Sequence, residues 1–167
     1  MLVDDFAAIE DDFVRMTTQT VFCTATTVDP LGRPRNRMLH PIFVVRDGRP
    51  VGWAVTGRTP VKTRHLAANP HLACAFWNPT QDTVFVDCVA AWVTDDDEKR
   101  RVFDLFLETP TPLGWGADGM AGFGPERWRH SLFTPLRLDP WRVQVMAGAE
   151  YPSGELAGRV WRRPPSR

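Results

Sequence analysis

The segment RTPVKTRHLAANP, residues 58–70, gathers Arg58, Lys62, Arg64 and His65 around the first turns of a predicted helix. The first turn of a helix leaves backbone N–H groups without intrahelical partners, and these attract an anion. Thr59 can cap such a helix, and Pro60 can take its first position, where a missing N–H costs nothing. Arg58 and Lys62 are the better pair for one site, because four residues is about one turn. Thr56 and Thr59 add hydroxyls. Arg35 or Arg37, alternating to one face of the preceding strand RNRMLH, could reach across. Two cationic side chains plus a helix start suit a phosphate; an exposed basic helix end with nothing bound is the other reading.

The histidines offer less. His40 is placed to hydrogen-bond a ring or substrate atom, or to pack beside Pro41. His65, next to Leu66, reads as packing or surface, and His71, after Asn69-Pro70, as structural. His130, on the far side of a glycine-rich stretch, is the better substrate-side candidate but has no fixed partner. His40 and His130 are thus the only weak catalytic candidates. The histidines and cysteines lack metal-ligand spacing, and no metal site is expected. No GxGxxG follows a strand, and there is no GxxxxGK[ST] and no GxSxG, so those nucleotide and nucleophile sites are not indicated. Asp95-Asp96-Asp97 sits at a helix start, where dipole and capping explain it.

The elements that position these residues read as follows. Phe6, Ile9, Phe13 and Met16 mark one face of an amphipathic helix. TVFCTATTVD, residues 20–29, is a β-branched strand closed by the turn Asp29-Pro30-Leu31-Gly32. RNRMLHPIFVVR is a second strand, with Pro41 at an edge or bulge. Asp47-Gly48 makes a tight hairpin to VGWAVT. The helix after Thr59 runs to about Ala68 and stops before Asn69-Pro70. HLACAFWN and the long DTVFVDCVAAWVT are further strands. Thr94 or Asp95 caps a helix whose buried face is Val102, Phe103, Phe106 and Leu107. Residues 109–128 are rich in glycine and proline and read as an ordered loop or a lid. LFTPLRL and WRVQVMAG are two strand candidates around Asp139-Pro140. The basic, proline-rich tail GRVWRRPPSR ends in residues expected to be disordered. The sum is a single domain over residues 1–167: mostly β with helices, six or seven antiparallel strands in a small barrel with helices outside.

Bulk properties set the limits. The 167 residues are 43% hydrophobic, and twenty basic side chains balance twenty acidic ones. Neutrality gives no support for nucleic-acid binding, which needs a concentrated positive field. Cys23, Cys74 and Cys88 lie in apolar or alternating runs and read as buried free thiols, which suits a cytoplasmic location. The start MLVDDFAAIEDDF lacks the basic region of a signal peptide, and no apolar run is long enough to span a membrane. Seven tryptophans and ten phenylalanines supply core and interface material.

Taken in order, RNRMLH, GWAVTGRTPVKTRHLAANPHLACAFW, TQDTVFVDCVAAWV, EKRRVFDLF and LRLDPWRV resemble the pyridoxamine 5'-phosphate oxidase-like family, the FMN-binding split barrels. The resemblance covers residues 20–146. It implies a six- to seven-stranded antiparallel split β-barrel with peripheral helices, and FMN held by Arg37 and Lys62 at its phosphate. Pro60 and Val61 stand where the family often has a serine and a second basic residue, so Arg58, Thr59 and backbone N–H groups take a larger share. Gln81 is the counterpart of a glutamine that contacts the ring, and Leu39, His40 and the strand from Gly52 to Thr56 form the floor. It also implies a homodimer with the cofactor at the subunit interface, and hydride or electron transfer to an unidentified small molecule. A deazaflavin coenzyme and a non-catalytic flavin or haem module are the alternatives. Oxidation of vitamin B6 phosphates fits poorly: the family's closing arginine-leucine-histidine motif is replaced by Gly158-Arg159-Val160-Trp161-Arg162-Arg163.

Overall fold

The computed structural model describes residues 1–116, 126–153 and 158–164. These residues form nine strands and three α-helices: β1 (Leu2–Val3), α1 (Glu10–Thr20), β2 (Cys23–Val28), β3 (Pro34–Leu39), β4 (Pro41–Arg46), β5 (Arg49–Val55), α2 (Pro60–Ala68), β6 (His71–Trp77), β7 (Thr83–Trp92), α3 (Asp96–Glu108), β8 (Pro135–Met146) and β9 (Arg159–Arg162). The strands form one sheet in the order β1-β9-β8-β7-β6-β2-β3, with β4 joined through β5 to β8. Every pairing is antiparallel except β1 with β9. The sheet curls without closing, which is the expected mostly-β split barrel with two or three strands more than the six or seven read from sequence.

The additions and divisions have local causes. RNRMLHPIFVVR is two strands, because it bends at His40-Pro41: β3 pairs with β2, whereas β4 pairs with β5. Proline has no N–H for a ladder and suits the crossing point. LRLDPWRV, by contrast, is one strand. The outer edge of β8 pairs with β5 over Pro135–Leu138 and with β9 over Arg142–Val145. Pro140 falls in the interval between these partners, and a register shift at Asp87/Cys88 of β7 takes up the extra residue opposite. β1 is only two residues long, and β9 is four residues with an arginine at each end, so neither was read as a strand from sequence.

Local chemistry fixes the rest. The β2–β3 turn closes around Asp29, whose carboxylate accepts from the backbone N–H groups of Arg33 and Leu31 and from the Arg33 guanidinium. These bonds, that to the Arg33 backbone first, hold its pKa down to about 2. Asp47 and Gly48 both take positive φ, 51° and 68°, as the tight β4–β5 hairpin requires. Asp95 caps α3 through the N–H of Glu98 at 2.7 Å.

Two apolar clusters fill the interior. The larger lies between the sheet and α1: Phe6, Ile9, Phe13 and Met16, the predicted face, pack with Phe76, Leu136 and Leu138. Phe6 meets Phe13 and Trp161 edge-on at 5.4 and 5.2 Å. The smaller lies under α3, where Val102, Phe103 and Phe106 meet Ile42, Trp53 and Phe133; Leu107 is only half-buried. Cys23, Cys74 and Cys88 are buried free thiols, as expected. Cys74 is pushed up by the Cys23 thiol and burial, Cys88 mainly by burial, so neither is a ready nucleophile. No helix among the described residues is long and apolar enough to cross a membrane. The disordered-tail expectation for the last residues, and residues 117–125 of the glycine-rich loop, lie outside the described residues.

Candidate functional site

The site grows from the junction of β5, α2 and β3. Thr59 takes extended backbone angles and accepts from the Lys62 N–H at 3.4 Å, with Pro60 opening α2. This cap starts the helix where the sequence placed it. It also turns Lys62 inward, to 8% exposure. The Lys62 ammonium donates to the Thr56 hydroxyl at the end of β5. No carboxylate lies within ion-pair distance of Lys62 among the described residues. Burial, and then the Arg37 charge, lower its pKa.

Arg37 is positioned by a second polar chain. It lies on β3 opposite Ala25, on the inward face. Its guanidinium donates to the Thr27 hydroxyl at 2.8 Å. That hydroxyl also meets the His65 ring Nδ1 at 3.0 Å, and His65 is 2% exposed. One geometry satisfies all three: Thr27 accepts from Arg37 and donates to Nδ1, leaving the His65 proton on Nε2. Arg37 also lacks a carboxylate partner among the described residues. Burial, and then Arg35, lower its pKa. Two inward cations thus share a neighbourhood with hydroxyls but no acid. Such an arrangement is costly empty, and an oxyanion relieves it.

The remaining expected residues are spread more widely. The Arg58 guanidinium lies 5.5 Å from the Trp92 ring centroid and lines a separate cavity of about 180 Å3 with Trp128, His130 and Thr134. The two places are joined through Thr56, whose backbone exchanges hydrogen bonds with Thr134. Leu39 is buried in the main core. His40 is tied through Nε2 to the Leu113 carbonyl and sits between the rings of Phe22 and Phe106, at 5.5 and 5.7 Å. His130 Nδ1 accepts from the Leu132 N–H at 3.2 Å. Gln81 has φ of 68° and accepts from the Trp77 indole at 3.1 Å. It follows the end of β6, whereas α2 leads into the start of β6; a seven-residue strand separates such points by roughly 20 Å. No group of three or more His, Cys, Asp or Glu side chains among the described residues is placed to hold a metal ion.

Sequence reasoning missed Thr27 and His65 as the pair that orients Arg37. A signal existed for Thr27. On β2 the inward positions are Cys23, Ala25 and Thr27, so the hydroxyl is the odd member of an apolar row.

The outer face of the sheet is the other notable surface. Met38, Thr24, Ala75 and Phe85 lie in register across β3, β2, β6 and β7. Met38 is 63% exposed and nearby Trp77 59%.

Comparison with known proteins places the fold. The chain overlays a protein of the pyridoxinephosphate oxidase family from Clostridium acetobutylicum, related to general stress protein 26 of Bacillus subtilis, with a TM-score of 0.65 at 14% identity over 96% of each chain. It overlays a pyridoxamine 5'-phosphate oxidase-related, FMN-binding protein from Nostoc punctiforme with a TM-score of 0.63 at 16% identity over 98% of each. The haem storage protein HutZ of Vibrio cholerae matches with a TM-score of 0.54 at 20% identity, over 79% of this chain and 89% of that one. Among curated proteins none matches. The family model described as pyridoxamine 5'-phosphate oxidase matches residues 9–111, a span that runs from α1 through α3 and holds Arg37, Thr56 and Lys62, and the chain therefore belongs to the pyridoxamine 5'-phosphate oxidase family.

Proposed function

We propose that the chain binds FMN, with the phosphate seated between Lys62 and Arg37, and that it is an oxidoreductase for a small molecule. The observation that carries this reading is the buried Lys62 beside Arg37, with no acid among the described residues to neutralise either. A phosphate dianion fits that donor set: two cationic side chains, the Thr56 and Thr59 hydroxyls and the start of α2. When bound, the isoalloxazine ring supplies hydride or electron transfer, and the protein supplies position and electrostatics. Thr27 and His65 hold Arg37 ready before the ligand arrives, so less ordering cost falls on binding.

The working unit is proposed to be a homodimer. Met38, Trp77 and Phe85 make an apolar sheet face of the kind that soluble monomers rarely leave open. Gln81 stands at the edge of that face, far from Lys62 on its own chain, and so reaches a cofactor ring only across a two-fold interface. Arg58 and His130, in their adjoining cavity, are then on the side where substrate or a coenzyme tail would lie.

The test is titration of FMN into the cofactor-free chain, followed by protein fluorescence. Saturable binding that weakens in Lys62→Met is expected. Equal affinity in the variant would remove the phosphate seat. Parallel titrations with a deazaflavin coenzyme and with haem decide between cofactors. Reoxidation of the reduced holoprotein by a candidate acceptor then separates an enzyme from a store. Sedimentation of the same samples reads the dimer, and a monomer with full FMN occupancy would overturn the interface.

A further inference from the structure

A second concentration of positive charge lies away from Lys62, at the seam where the edge of β8 exchanges β5 for β9. Two adjoining cavities, of about 270 and 90 Å3, share Arg46, Trp53 and Arg137 as walls. Arg49 and Arg163 complete the larger, Arg101 the smaller. The acids that face the groove are Glu98 and Asp139, and both are engaged. Glu98 accepts from the Trp53 indole at 2.9 Å and from Arg137 at 3.4 Å. Asp139 pairs with Arg137 at 3.5 Å and Arg163 at 3.3 Å. Arg46, Arg49 and Arg101 have no carboxylate partner among the described residues. Arg46 lies over the Trp53 ring at 5.4 Å, which restrains its guanidinium at the wall.

The seam itself adds a donor. β8 residues 139–141 pair with neither β5 nor β9. Arg163 reaches into this interval and donates to the Pro140 carbonyl at 2.6 Å. Its Nε is buried without a partner among the described residues. Five arginines against two committed acids leave an excess of three positive charges around one opening. Guanidinium forks match oxyanions in geometry, and several act together on linked oxyanions.

We propose that this groove is a second anion site and takes a small ligand carrying a diphosphate group. The larger cavity, at about 270 Å3, lies just under the range of about 300–1,000 Å3 for drug-sized ligands, and the smaller adds only about 90 Å3, which favours a compact occupant. Trp53 is 4% exposed and already covered by Arg46, so no aromatic face is open for a base to stack on. Recognition therefore belongs to the diphosphate group, whether free or part of a nucleotide.

The experiment is calorimetric titration of the full chain with inorganic pyrophosphate at fixed ionic strength. The variants are Arg46→Gln/Arg49→Gln, Arg101→Gln and Lys62→Met. The seam site is expected in the wild type, beside a site at the cofactor seat, and as the one saturable site in Lys62→Met; it is weakened tenfold or more by Arg46→Gln/Arg49→Gln and less by Arg101→Gln. All three arginines are exposed, so these variants retain the fold; a thermal melt checks it, and in the Lys62→Met background pyrophosphate should raise Tm, but not once Arg46→Gln/Arg49→Gln is added. ADP binding as well as pyrophosphate identifies the diphosphate alone as the ligand; ADP binding more than tenfold better identifies a nucleotide. Absence of saturable binding overturns the proposal. So does binding that is lost in Lys62→Met but kept in the double arginine variant, because that places the anion at the cofactor seat.

Discussion

Two positively charged regions of this molecule are built in opposite ways. At Lys62 and Arg37 the cations are few, turned inward and oriented by hydroxyls alone. At the β8 seam they are many, largely exposed, and partly balanced by Glu98 and Asp139. A buried cation loses hydration, which an exposed one keeps. The first region therefore costs stability until an anion arrives. The second costs little empty and gains most from ligands with several charges. The contrast shows that the count of basic residues is a poor guide to a phosphate seat; their solvation is the better one.

The largest expected effect tests the inward pair. Lys62→Met should weaken FMN by about 1–3 kcal/mol, or roughly tenfold to a few hundredfold, since a charge-assisted contact is lost. The same change should stabilise the cofactor-free protein, read as a higher midpoint in urea. Loss of both affinity and stability would show that Lys62 has a structural role instead. Next, Thr27→Val should cost about 1–3 kcal/mol of stability, because Arg37 and the buried His65 lose their shared hydroxyl. It should also weaken FMN without altering pyrophosphate binding at the seam.

Salt gives a smaller and more discriminating effect. Raising ionic strength from about 0.05 to 0.5 M should weaken pyrophosphate more steeply than FMN, because exposed charges are screened more than buried ones. Equal slopes would erase the distinction between the two regions. The smallest effect concerns pH. Lys62 has its pKa lowered in the folded chain from the ordinary 10.5. The unfolded chain thus binds that proton more tightly. The penalty is complete below the folded value, and stability rises as pH climbs through it toward 10.5. Lys62→Met should lack this rise, measured as urea midpoints from neutral to alkaline pH.

Much of the first region was legible before the fold was known. Thr59-Pro60 announced the start of α2, and that start fixed Lys62. Alternation on β3 offered Arg35 or Arg37, and the family resemblance singled out Arg37. Arg58 did not follow, because helical spacing ignores the aromatic surface that competes for a guanidinium; Trp92 lies far along the chain. The seam was hidden altogether. Its arginines come from β4, β5, α3, β8 and the residue after β9, and only three-dimensional pairing brings them to one opening. Prolines misled in both directions. Pro41 was read inside one strand and marks the division of two, while Pro140 was read as a break and lies within one. A proline forbids a ladder bond only where a neighbour needs it, and sequence does not reveal which edge is vacant.

The parallel pairing of β1 with β9 has a consequence for the order of assembly. Leu2 and Val3 find their partners at Val160 and Trp161, and Phe6 waits for the Trp161 ring. During synthesis Leu2 and Val3 remain without these neighbours until some 160 residues have been made. Contacts of such long sequence separation form slowly. The segment ahead of α1 is therefore locked after the helix itself, which packs on β4, β6 and β7, and shortening β9 should loosen that segment first.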